Sequence, residues 1–187
     1  CWIIATQKNS ECIIVDPGIV VPSMADRIKE VTNKFNLKPV AAILTHGHLD
    51  HTFSVLPIAK GYGIPALIHS RDRALIKNPM KALMPGGPAQ QIIQSLGITE
   101  FLEPDEVIEL EDRETFNLAG LPIEVRHAPG HTAGSAIFLV NSEYLISGDV
   151  LFEGSIGRTD LPTGSATDMK RSLKEQVLTL DDEVIVL

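Results

Sequence analysis

The sequence predicts an α/β layered domain, with sheets at its centre and helices packed outside them. Three observations carry this expectation. Short apolar, strand-like runs recur in both halves of the chain, and each half also holds a few helix-like segments. One apolar run, Val40-Ala41-Ala42-Ile43-Leu44, delivers Thr45-His46-Gly47-His48-Leu49-Asp50-His51 at its end.

In chain order, residues 1–5 and 12–15 read as two strands joined by the polar turn Lys8-Asn9-Ser10. Asp16-Pro17-Gly18 ends the second as a tight turn, with proline fixing φ and glycine free to take positive φ. A helix follows, with Ser23 as N-cap and Asp26 three residues on. Met24, Ile28, Val31 and Phe35 repeat along one of its faces. Residues 40–44 are strand, residues 52–60 a short helix stopped by Gly61 and Gly63, and residues 66–68 a buried strand ending at His69. His69 is expected to be a hydrogen-bonded structural histidine. Residues 78–88, with three prolines and two glycines, read as a long loop, either a lid or binding edge or an ordinary surface connection.

Val107–Leu110, Thr115–Leu118 and residues 122–125 follow at the close spacing of an antiparallel meander. Residues 135–140 and 144–147 form the next pair, turning at Asn141-Ser142. Ser165 with Asp168 opens a helix carrying Met169, Leu173 and Val177 on one face, and a last strand begins near Val184. There is neither repeat nor linker, so residues 1–187 read as one domain.

The formal charge of −8 argues against a general nucleic-acid surface, which needs a basic face. No apolar run approaches the ~18 residues that span a bilayer, and there is no lipidation motif. A cytoplasmic protein is expected, with no membrane partner. Cys1-Trp2-Ile3-Ile4 and Val184-Ile185-Val186-Leu187 read as strand interiors, so the chain is expected to be truncated at both ends, with an upstream targeting segment left open. Cys1 and Cys12 read as two free thiols in a cytosolic core, with a hairpin pair as the alternative.

Three of the six histidines and one carboxylate fall within six consecutive positions after a buried strand. Such groups at one strand end need partners, and a cation supplies one. Residues two apart project to the same side, so His46 and His48 can hold one ion while Asp50 and His51 reach a second. Pro129-Gly130-His131-Thr132 puts a histidine in a tight turn after a strand, and Ser147-Gly148-Asp149 puts a carboxylate at the end of another. His46, His48 and His131 then form a three-nitrogen set that leaves one zinc position open, with Asp149 bridging to the second ion. His127 alternates with Ile123 and Val125 and reads as a buried, hydrogen-bonded histidine. Arg158 either holds a substrate carboxylate or pairs with Asp160.

Residues 45–51, 128–132 and 147–149 resemble the metal motifs of the metallo-β-lactamase superfamily, in order and spacing along nearly the whole chain. The resemblance implies an αββα four-layer sandwich of two mixed sheets with helices on the outer faces and metals at one edge. It implies metal ligation by His46, His48, Asp50, His51, His131 and Asp149. Within the superfamily, Gly154-Ser155-Ile156-Gly157-Arg158-Thr159-Asp160-Leu161-Pro162 is most similar to small hydrolases related to glyoxalase II. Nothing in the chain corresponds to that enzyme's C-terminal, glutathione-binding helical domain. The superfamily's next histidine ligand would fall beyond Leu187. A weak second metal site is therefore expected, with the carboxyl end of Leu187 directed at the Asp50–His51 edge.

The implied activity is metal-dependent hydrolysis of a small-molecule acyl thioester of the hydroxyacyl-thiol kind, with one or two zinc ions, iron or manganese being alternatives. Zinc-bound water loses a proton near pH ~7, and the ions stabilise the oxyanion. A thiol with pKa about 8.5 leaves without a strong general acid. Asp50 is expected to orient or deprotonate the water if one ion is bound. The rivals are a non-haem iron persulfide dioxygenase on the same fold, a zinc β-lactamase, and a catalytically silent scaffold. Asp149 stands where many zinc β-lactamases carry a cysteine, which disfavours the second of these.

Overall fold

A computed structural model describes residues 1–187 apart from Val21, Leu96 and Thr99. Strand β1 (Trp2–Ile4) pairs antiparallel with β2 (Glu11–Val15), and β3 (Lys38–Leu44), β4 (Ala66–His69) and β5 (Val107–Leu110) join in parallel. They form a five-stranded sheet in the order β1-β2-β3-β4-β5. Parallel neighbours require crossovers. Helix α1 (Met24–Phe35) makes the first, α2 (Leu49–Thr52) and α3 (Val55–Tyr62) the second, and α4 (Arg73–Lys77) and α5 (Pro88–Ser95) lie on the third.

The chain then runs antiparallel through β6 (Thr115–Leu118), β7 (Leu121–His127), β8 (Ala136–Val140) and β9 (Tyr144–Ile146). A short ribbon of β10 (Leu151–Phe152) and β11 (Ser155–Ile156) follows. Helix α6 (Ala166–Ser172), extended by a π-type turn over Leu173–Val177, leads to β12 (Ile185–Val186), which adds parallel to β9. The second sheet has the order β12-β9-β8-β7-β6.

Period-two alternation sorts each strand's side chains between two layers. Ile13, Val15, Ala41 and Ile43 point inward and meet Ile123, Val125, Phe138 and Val140 of the other sheet. Ile14, Ala42 and Leu44 point outward onto Ile28 of α1 and Val55 and Ile58 of α3. On the far side, Ile137, Leu139 and Leu145 pack under Met169, Leu173 and Val177. β3 is apolar throughout its second half because both its faces are covered. The result is the αββα sandwich expected, with two mixed sheets. Among the described residues no helix is long and apolar enough to cross a membrane.

Both capping residues behave as the sequence indicates: Ser23 Oγ accepts from Asp26 N–H and Ser165 Oγ from Asp168 N–H, each at 3.2 Å. Other expectations need correction. β5 is not part of a meander with β6. It completes the ladder of β4 in the first sheet, and the chain changes sheets in the turn that holds Arg113 at φ 62°. Strand spacing alone does not say which sheet edge is free. Val31 is 37% exposed, and Thr32 takes the inward position, its hydroxyl 3.0 Å from that of Tyr62. Residues 78–88 are not a bare loop: Pro79–Ala82 forms a 3₁₀ turn anchored by buried Ala82, and α5 begins at Pro88. Of the two free cysteines only Cys12 is in the core, where burial pushes its thiol up to about 11; Cys1 is exposed.

Phe138 is fully buried between the sheets. Phe138→Ala is expected to cost about 3–5 kcal/mol of unfolding free energy and Val31→Ser less than about 0.5. Urea denaturation would measure both, and similar losses would contradict this layer assignment.

Candidate metal centre

β3 ends at Leu44, and the buried Asp16 carboxylate at the end of β2 catches the chain as it leaves. It accepts Thr45 N–H at 2.8 Å and the Thr45 hydroxyl at 2.7 Å. With its hydrogen committed there, Thr45 Oγ1 is the acceptor for His46 Nδ1–H at 3.0 Å. Asp16 also takes His51 Nδ1–H at 2.9 Å, and His131 Nδ1–H is taken by the Arg158 carbonyl at 2.8 Å. Three imidazoles are thereby oriented through Nδ1, and Nε2 is the atom each offers a cation. Among the described residues, the buried His46 Nε2 and His48 Nε2 have no hydrogen-bond partner.

His48 is placed differently, at the N-cap of α2. Its Nδ1 lies 2.8 Å from His131 Nε2. Two imidazole nitrogens at this hydrogen-bond distance share a proton, and they would have to part to about 3.3 Å to hold one ion. Asp149 is delivered by Gly148, whose φ of +49° and 2.5 Å approach of an added Cβ to Thr45 Oγ1 leave room only for glycine. Its Oδ1 lies 3.3 Å from His51 Nε2 and its Oδ2 3.4 Å from His131 Nε2, one oxygen towards each group.

Donor atoms of His46, His48 and His131 lie within 4.8 Å of one another, as do those of His46, His51 and Asp149. Bonds of ~2.0–2.2 Å in a tetrahedral shell put donors roughly 3.3–3.6 Å apart. The orphaned His46 nitrogen, this spacing and the mixed N/O donors fit a divalent ion of the zinc or iron class. Asp50 stands outside both compact sets: its carboxylate is 71% exposed at the mouth, with Oδ2 3.9 Å from His51 Nε2.

Burial, reinforced by the His51, His48 and His131 rings, holds His46 well below the usual imidazole range. Burial and then His131 bring His48 down to about 4. Both are neutral ligands at neutral pH. At His51 burial pulls down, but the carboxylates of Asp149 and Asp16 outweigh it and carry the ring up to about 10. At Asp149 burial pushes up, and the His51 hydrogen bond and charge outweigh it, lowering the carboxyl.

A match of residues 1–187 to the family model of the metallo-beta-lactamase superfamily settles the ancestry of this arrangement. The chain belongs to that superfamily. It is 34% identical to hydroxyacylglutathione hydrolase GloC of Haemophilus influenzae, over 97% of this chain and 79% of that protein. Among solved structures it is similar to the BLEG-1 B3 metallo-beta-lactamase, with a TM-score of 0.80 and 29% identity over 98% of this chain and 82% of that one. It is also similar to TTHA1623 in a di-iron-bound form, with a TM-score of 0.73 and 28% identity over 100% and 84% of the two chains.

Within the superfamily fold, two carboxylates do more than the sequence disclosed. Asp16 occupies a turn, as read, with positive φ and Gly18 N–H on its carbonyl at 2.9 Å, and its side chain also orients two imidazoles. Asp72, following β4, is 0% exposed and accepts Gly47 N–H at 2.8 Å, Thr132 Oγ1–H at 2.6 Å and Gly134 N–H at 2.7 Å. Burial raises its carboxyl and these three donors work against that. Only its place just after a buried strand hinted at such a role.

The remaining candidates fall outside the donor sets. His127 is half-buried rather than buried, donates from Nε2 to the Ala133 carbonyl at 2.9 Å, and stacks on His69 at 3.9 Å. Arg158 forms the bidentate pair with Asp160, both bonds 2.7 Å, and meets the centre through its backbone carbonyl. The Leu187 carbonyl accepts from Ser147 N–H at 3.2 Å, and Leu187 shares with His51 a cleft of about 610 Å³.

Asp149→Ala is expected to remove metal and Asp72→Ala to weaken its retention about 10–100-fold, whereas Arg158→Ala, which keeps its carbonyl, retains metal. Metal analysis after dialysis decides; equal losses at Asp149 and Arg158 would refute the assignment.

His69 supplies a pH prediction. Burial and then His127 lower it to about 4, below its ordinary 6.5. The unfolded chain therefore binds the extra proton between those values, and stability falls as pH drops through them by up to about 1.4 kcal/mol per unit. Melting curves from pH 7 to 4 should fall less steeply for His69→Gln than for the unaltered protein; parallel curves would contradict a neutral His69.

Proposed function

We propose that the chain is a metal-dependent hydrolase of small-molecule acyl thioesters. The observation that carries this reading is Asp149, with one carboxylate oxygen towards the three-histidine set and the other towards His51. Likeness to GloC supports it and makes hydroxyacyl thiols the first class to try. A bound zinc-class ion supplies an acidified water and a polarised carbonyl. His46 and His48 are neutral at neutral pH and, with His131, would hold it, while Asp16 keeps His51 turned inward directly and His46 through Thr45. Asp50, exposed at the mouth and 3.9 Å from His51, is placed to orient the attacking water and accept its proton at Oδ2. The departing thiolate needs no acid from the protein, since thiols ionise near pH ~8.5.

Likeness to a di-iron protein favours iron as a second occupant of the same donors, and with it the oxygenase alternative. The test is metal analysis of the purified protein with two assays on zinc- and iron-loaded forms: a thioester panel including lactoylglutathione, and oxygen uptake with glutathione persulfide. Thioester turnover lost on chelation and in Asp149→Ala is the expected result. Oxygen uptake with iron and no thioester turnover would overturn the proposal.

A further inference from the structure

Beside the metal centre, on the open side of Asp50, lies a second cleft of about 560 Å³, within the range of small-molecule sites. Four stretches distant in sequence wall it with apolar side chains: Ile19 after β2, Leu49 of α2, Leu83 and Met84 with Ile92 of α5, and Leu161 after β11. Ile19, Met84 and Ile92 are 52%, 49% and 58% exposed, an unusual amount of apolar surface to keep in water on one concave face.

Two wall residues join this cleft to the centre. Asp50 lies 3.9 Å from His51 Nε2, and the Arg158 carbonyl holds His131. A substrate whose carbonyl is at the candidate donors can extend one end into the cleft past these two residues. The charges of the lining say which end. Arg158's guanidinium is committed to Asp160 through two 2.7 Å bonds, and the other charged wall residue is the carboxylate Asp50. An anionic group would meet Asp50, and the cation among the described lining residues, Arg158, is already paired. An aliphatic chain would cover the apolar walls.

Building on the thioesterase reading, we propose that this cleft takes the unbranched aliphatic acyl chain of the thioester, leaving the polar thiol outside. Acyl groups of about four to eight carbons are then preferred over short hydroxylated or acidic ones.

The experiment uses N-acetylcysteamine thioesters of acetate, butyrate, hexanoate, octanoate and lactate with the zinc-loaded protein. S-alkyl thioethers of the same thiol, which cannot be hydrolysed, serve as binding probes in calorimetry. Full burial of each methylene predicts about a fourfold gain, or about 250-fold over the four that separate butyryl from octanoyl, so even a partly buried chain should raise kcat/KM and thioether affinity at least tenfold. Ile92→Glu should flatten both trends. Phe53→Glu, which changes an exposed apolar residue not lining this cleft, should preserve them. Hydrolysis with no chain-length trend, or lactoyl favoured over hexanoyl, overturns the inference and leaves the thioesterase reading standing. Equal flattening by Phe53→Glu also overturns it, since adsorption would then be nonspecific. Chain-length-dependent thioether binding without any hydrolysis upholds the cleft's ligand class and overturns the thioesterase reading instead.

Discussion

The buried carboxylate of Asp72 is the contact on which the two halves of the metal centre depend. Apolar burial between the sheets is non-directional: it decides that Phe138 and Ile43 meet, and not where His131 lies relative to His48. Direction comes from hydrogen bonds that cross between the sheets at one edge. Asp72, in the first half, accepts from Gly47 in the loop after β3 and from Thr132 and Gly134 in the loop after β7. A backbone bond from Ala136 N–H to the Thr45 carbonyl, 2.9 Å, closes the same edge. A carboxylate is costly to bury, and three donors offset that cost; deleting it would leave buried N–H groups unsatisfied, each at roughly 1–3 kcal/mol.

That clamp gathers groups that would not collect by themselves. The His46 ring lies 4.2–4.7 Å, centre to centre, from those of His48, His51 and His131. Desolvation and mutual repulsion keep His46 and His48 uncharged, while Asp16 and Asp149 favour a protonated His51. One side of the centre is thus ready for a cation as it stands, and the other must exchange a proton for one. The buried Nε2 atoms of His46 and His48 have no hydrogen-bond partner among the described residues, and a bound ion would satisfy them.

What was legible in the sequence was what is local. Residues 45–51 announce a metal because strand and ligands are contiguous, and His131 and Asp149 gain meaning only beside them. Capping residues at Ser23 and Ser165 could be read because a cap reaches three residues along its own chain. Asp16 and Asp72 could not be assigned their roles, since their partners lie 25 to 62 residues away and each has an ordinary local explanation. The misplacement of β5 has the same origin: its four residues specify a strand, while its neighbour is chosen by the exposed edge of β4. Thr32 takes the inner face of α1 in place of Val31, one turn on from buried Ile28, with its hydroxyl 3.0 Å from that of Tyr62.

The same distinction separates reaction chemistry from substrate choice. The metal donors sit at strand ends and in the first turn of α2, held by buried carboxylates and by glycines that tolerate no side chain. Apart from Leu49 of α2, the apolar walls of the cleft come from the chain after β2, before and within α5, and after β11, none of which contributes to either core sheet. In the proposed function, side-chain substitution at Ile19, Met84 or Ile92 changes what the centre is offered and leaves in place Asp16, Thr45 and the Arg158 carbonyl, which orient His46, His51 and His131. Asp50 and Arg158 belong to both regions, one through its side chain and the other through its carbonyl. In the proposed function the link between chemistry and selectivity runs through those two residues, and at Arg158 it runs through a backbone atom that side-chain substitution leaves in place.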